Sequence, residues 1–238
     1  MSHQPPLGVV PADSAVLATS SLLRLLCLVS PALPVGAYAY SQGLEYAVSV
    51  SWVHDEQSAF DWFNGISQHG IASLDLPLLM RLHQAWSQGN AQEIKQWNER
   101  VIASRQTQES RAEELHLGRA LARILVTLDI PEAGFWETAR SAFATLFALA
   151  CVRWNVPVRD TALGYSWAWT ENQVLAAVKL IPLGQSAGQR LLHRLMGCMP
   201  GLLDRAAAIR DDEIGSSAIS QAMASALHET QYSRLFRS

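Results

Sequence analysis

Four groups of residues in this chain have types and spacings with chemical potential. Ala39-x-Ser41-x-Gly43 is a variant of the nucleophile elbow, in which a serine on a sharp strand-to-helix turn presents its hydroxyl to a substrate. Glu113-Glu114-Leu115-His116 contains one Glu-x-x-His, the unit that di-iron helical bundles use twice. Lys179, with Lys95 one of the only two lysines, is a single cation set in an apolar segment. The stretch from His228 to Ser238 alternates Tyr232 and Phe236 with Arg234 and Arg237. Those residue types dominate binding hot spots, because they bury a large area and anchor it with directed hydrogen bonds.

The first two groups weaken in context. An elbow needs a strand before its serine. Pro31 and Pro34 fix φ and remove donors where that strand would run, and no strand–helix alternation follows. A hydrolase is therefore set aside. The lone Glu-x-x-His has Arg111, Arg119 and Arg123 at neighbouring helical positions and reads as a solvated, ion-paired face. The seven histidines are scattered, without the close spacing of a structural metal site. Neither a P-loop nor a dinucleotide fingerprint is present, and no nucleophile–base pair stands out. The chain is expected to be no enzyme and to need no cofactor. Lys179 lies three residues before Pro182, where its charge suits a helix C-terminus; presented outward, it would meet a partner instead.

Composition narrows the classes further. A net charge of −3 over 238 residues gives no general attraction to nucleic acid. Only 16% of residues are charged and 49% are hydrophobic, so part of the surface is expected to be covered by a partner. Cys27, Cys151 and Cys198 are far apart and odd in number, which suits a reducing compartment. The N-terminus lacks the basic start of a signal peptide, and the longest apolar run, around 142–152, is too short for a bilayer. The expectation is a cytoplasmic protein off the membrane.

The elements that must position these groups are helical. Apolar stripes recur at Leu22/Leu25/Leu26/Val29, Phe60/Phe63/Ile66 (capped by Asp55 or Ser58), Leu78/Leu79/Leu82/Trp86 (started by Asp75 and Pro77, stopped by Gly89), Ile94/Trp97/Val101 and Leu117/Leu121/Ile124/Leu128. Phe143, Leu146, Phe147 and Ala150 mark the most apolar helix. Val174 to Ile181 is expected to end at Pro182, with Asn172 and Gln173 near its start. Leu191 to Met196 should end near Pro200, and a last segment spans about 217–227. The fold class is all-α, a single-domain helical bundle of roughly nine or ten helices. Residues 1–15 should be disordered or loosely attached, 16–227 the helical domain, and 228–238 a partner-docking tail.

Three stretches, in this order, resemble the family of the urease accessory protein UreF. They are Ser30-Pro31-Ala-Leu-Pro34-Val-Gly36-Ala-Tyr38-Ala-Tyr-Ser41-Gln-Gly43-Leu-Glu45, the block from Asn172-Gln173-Val to Pro182-Leu-Gly-Gln185-Ser-Ala-Gly-Gln189, and the tail. Ala39 departs from a position where the family commonly has a hydroxyl. The resemblance implies an all-helical homodimer with no catalytic centre. Such a protein bridges UreD (also called UreH) and the GTPase UreG, docks on the apo-urease subunits (UreABC), and regulates GTP hydrolysis during nickel insertion. It further implies that Tyr38, Glu45 and Lys179 face the GTPase. His228, Glu229, Tyr232, Arg234, Leu235, Phe236 and Arg237 would face UreD, in a tail that orders on binding. The alternative is a helical metallochaperone that carries nickel itself.

Overall fold

The computed structural model describes residues 17–238; the expectation for the first fifteen residues falls outside them. Ten α-helices form among the described residues and no strand does. They are α1 (Thr19–Leu28), α2 (Leu44–Ser49), α3 (Glu56–Ile66), α4 (Leu76–Gln88), α5 (Ala91–Ser104), α6 (Gln108–Thr127), α7 (Phe143–Arg153), α8 (Val158–Leu180), α9 (Gln185–Ala208) and α10 (Ile219–His228). No helix here is long and apolar enough to cross a membrane.

Local chemistry sets several boundaries as expected. Asp55 caps α3 in a reciprocal box with Ser58, and Gly89 closes α4 in the left-handed conformation. Three boundaries differ. Asp75 caps nothing: α3 continues through a nine-residue π-helical stretch, Ser67–Asp75, straight into α4. Wider π turns of this kind are rare and re-aim the side chains that follow; here Asp75 turns toward Arg105. Asn172 and Gln173 lie deep inside α8, which begins fourteen residues earlier at Val158. Pro200 does not stop α9, which runs eight residues past it. Pro200 is on the exposed side, as is Met196 one turn back.

The centre is the packing of α4 on α7. Leu78, Leu79 and Leu82 meet Leu146, Phe147 and Leu149, all fully buried. A second apolar cluster gathers Leu44, Val53, Phe63, Val174, Ala177 and Leu191, and Phe236 from the tail completes it. α8 joins the two, with Tyr165 in the first and Val174 in the second. Its apolar residues therefore lie on several sides, as expected for a helix covered all round.

Candidate functional site

Two glycines shape the proline-rich loop. Gly36 and Gly43 both adopt left-handed φ, at 87° and 85°. At Gly43 a Cβ would also stand 2.8 Å from the Ser225 nitrogen of α10, so only glycine fits. This close approach sets the start of α2 against the end of the chain.

Glu45, in the first turn of α2, is the hub of the contact. Its carboxylate accepts the backbone N–H of Leu235 at 2.7 Å and of Phe236 at 2.8 Å. The His228 Nε2 lies 3.3 Å away. Two more main-chain bonds tie the tail to the loop: Arg237 N–H donates to Ala39 O at 2.8 Å, and Ser41 N–H donates to Ser238 O at 2.7 Å. The Ser41 hydroxyl donates to the same Ser238 oxygen at 2.5 Å. Ser41 is fully buried with its proton committed to structure, and it follows no strand. That is the opposite of an exposed elbow nucleophile.

The other side of the tail rests on α6. His228, with no exposed surface, places Nδ1 2.8 Å from Glu109. Arg234 pairs with the same carboxylate at 2.5 Å, and Glu229 accepts the Glu109 N–H at 3.0 Å. An acid at the first turn of α6 also suits the positive end of that helix. The Lys179 ammonium, exposed in the last turn of α8, stands 5.8 Å above the Phe236 ring.

The folded chain itself covers several of the residues expected to meet partners. Glu45, expected on a partner-facing surface, is buried and holds the tail. His228 and Phe236, expected to face a partner, are buried against the body, at 0% and 6% exposure. The tail, expected to order on a partner, is seated on its own chain. Tyr38 (67%), Tyr232 (105%) and Leu235 (68%) face outward, as do Arg234 and Arg237. Asn172 donates to Tyr40 O at 3.4 Å, and Gln173 is buried in α8 with its amide nitrogen unpaired. Pro31 and Pro34 lie exposed on the loop, and Pro182 and Gln185 at the α8–α9 turn.

Behind the loop lies a largely apolar cavity of about 200 Å³, into whose lining Gln42, Asp75, Arg105, Glu113, Glu114 and Tyr165 bring polar groups. Arg105 reaches Asp75 at 2.6 Å and Glu114 at 2.7 Å. Burial works against its charge, but the two carboxylates outweigh burial and hold the guanidinium well above its usual range. Burial also drives the Asp75 carboxyl upward, and the Tyr165 hydroxyl well above its ordinary range, where nearby Glu114 and Asp75 add to it.

Glu113 accepts from the Gln42 amide at 2.8 Å and from the Ser238 hydroxyl at 3.1 Å. Burial pushes its carboxyl up to about 7. The Glu113–Glu114 pair is thus no solvated face: both side chains point inward because that side of α6 packs on the loop, α7 and the tail. The sequence reading missed Gln42, Glu113 and Ser238 as seam residues. Glu113 and Glu114 stand one turn before Leu117 but among Arg111, Arg119 and Arg123, whose charges give the pair the look of a solvated face. Among the described residues no three His, Cys, Asp or Glu side chains converge to hold a metal ion.

The chain is similar to known proteins over most of its length. A family model described as UreF matches residues 53–196. A urease accessory protein UreF from Alkalilimnicola ehrlichii is 48% identical over 90% of this chain and 95% of its own. One from Hahella chejuensis is 44% identical over 92% and 98%, and one from Azoarcus sp. is 43% identical over the whole of both. The chain therefore belongs to the UreF family of urease accessory proteins.

Proposed function

We propose that this protein is a non-catalytic scaffold in urease maturation, bridging UreD and the GTPase UreG on apo-urease and regulating GTP hydrolysis while nickel is inserted. The carrying observation is the bonded seam between loop and tail. The segment assigned to the GTPase (Tyr38 and its loop) and the segment assigned to UreD (Tyr232 to Arg237) share Glu45, Ser41 and Ala39 as anchors. A displacement of either segment by one partner is then felt at the other, which is what a bridge that couples two partners requires.

Exposed apolar surface supports the same reading. Ile219, Met223 and Leu227 recur every four residues on the outer face of α10, and the stripe leads to Tyr232 and Leu235. The protein is taken to act as a homodimer; Leu22, Leu23 and Leu26 on α1 are uncovered apolar surface open to a second copy, and sedimentation would give the stoichiometry.

The test is co-purification with UreD, UreG and apo-urease. Deleting residues 229–238 should abolish UreD capture while helical content persists; full capture by the truncated chain removes the tail from the interface. Lys179→Ala should alter partner GTP turnover or urease activation without unfolding. Tight stoichiometric nickel on the isolated chain in equilibrium dialysis would replace the scaffold with a nickel carrier.

A further inference from the structure

Among the described residues, Glu113 is a buried seam carboxylate with no ion-pair partner. Its two partners are neutral donors from two separate segments, Gln42 on the loop and Ser238 on the tail. Gln42 is itself held by the Trp169 indole N–H at 2.9 Å, so the loop-side donor is fixed. Arg105, whose charge acts on Glu113 through space, is already engaged by Asp75 and Glu114. Glu114, Tyr165 and Tyr40 face Glu113 from α6, α8 and the loop, with Arg237 beside Tyr40. Of the two donors, Ser238 belongs to the tail, which can lift without opening a helix.

We propose that the C-terminal tail is a proton-controlled latch: it seats on the loop when Glu113 is protonated and loosens when that carboxylate is ionised. This rests on the reading of loop and tail as the coupling seam, and assigns its regulation.

The physical cause is the cost of an uncompensated buried charge. With the tail seated, burial holds Glu113 at about 7, against 4.5 for a free glutamate. With the tail lifted, water reaches the carboxylate and its affinity for a proton falls. Seating therefore takes up a proton, and by linkage it weakens as pH rises through neutrality. The change between pH 6 and pH 8 is about tenfold in the seating equilibrium. His228 lies on the other side of the tail, between Glu45 and Glu109.

Amide exchange on the full chain tests the latch. The readout is the protection of Leu235, Phe236 and Arg237, each corrected for the intrinsic pH dependence of exchange. Protection should fall about tenfold from pH 6 to pH 8 in the parent and stay level in Glu113→Gln. A parent without that fall, or a Glu113→Gln variant that keeps it, overturns the proposal. If the variant does not fold, carboxyl carbon titration of the parent decides. A Glu113 midpoint that coincides with the loss of protection supports the latch, and one below pH 5.5 refutes it. These measurements involve no partner, so a failed latch leaves the scaffold reading intact, and a failed UreD capture leaves the latch intact.

Discussion

The Asp75–Arg105–Glu114 cluster and the Glu45–His228–Glu109 seam are built from the same materials, buried carboxylates around a basic side chain. They differ in what encloses them. Asp75 ends a π stretch, Arg105 follows α5, and Glu114 sits in α6 and also accepts the Ala144 N–H at the start of α7. Every partner there lies in a core helix or directly at its end. At the seam, the three groups that contact the Glu45 carboxylate come from residues 228–236, a segment with two buried rings, His228 and Phe236. Removing a partner in the first place strands a charge in the core, whereas at the second it lets the tail lift and water enter. Whether a polar network is structural or releasable is set by the path open to water, not by the groups it contains.

The largest effect should come from Arg105→Met. Asp75 and Glu114 would be left unpaired, and the chain should lose about 3–5 kcal/mol of stability in urea unfolding. A loss under about 1 kcal/mol would place that cluster effectively in water and erase the contrast.

Glu113 belongs to both regions, and its pH dependence sharpens the distinction. The fold disfavours its ionised form. The penalty is absent below pH 4.5, grows as pH rises, and is complete above about 7. Glu113→Gln escapes it, so its stability relative to the parent should improve by up to about 3 kcal/mol between pH 4.5 and pH 8. Parallel denaturant titrations at the two pH values measure this directly, and an unchanged difference would mean the carboxyl is hydrated.

Glu45→Ala should act locally. Losing a charged acceptor of two amides weakens tail seating by about 2–3 kcal/mol, so Leu235 and Phe236 lose exchange protection while the midpoint of helix melting hardly moves. Joint loss of tail and helices would make the seam part of the core. Lys179→Ala is the smallest change. An exposed cation over an aromatic ring is worth about 0.5–1 kcal/mol, so a melting shift of several degrees would give Lys179 a structural role beyond Phe236.

The all-helical architecture was legible because stripes such as Phe143/Phe147/Ala150 repeat at the helical period over long segments. The Asp55 and Gly89 boundaries were legible because capping is local chemistry. Asp75 misled because its side chain answers to Arg105, thirty residues away. Pro200 misled because a helix held on one face by Leu195, Met199 and Leu203 tolerates a missing donor on the other.

From the residues alone came the helical class, the motif loop, the aromatic–arginine tail and the family they resemble, since each depends on residue type and short-range spacing. The tertiary structure alone decided that Glu45 and Glu113 face inward, that Phe236 and His228 are buried, and that tail and loop are bonded. Those facts join residues up to 197 positions apart, and no local periodicity encodes which carboxylate will lose its water when distant segments close over it.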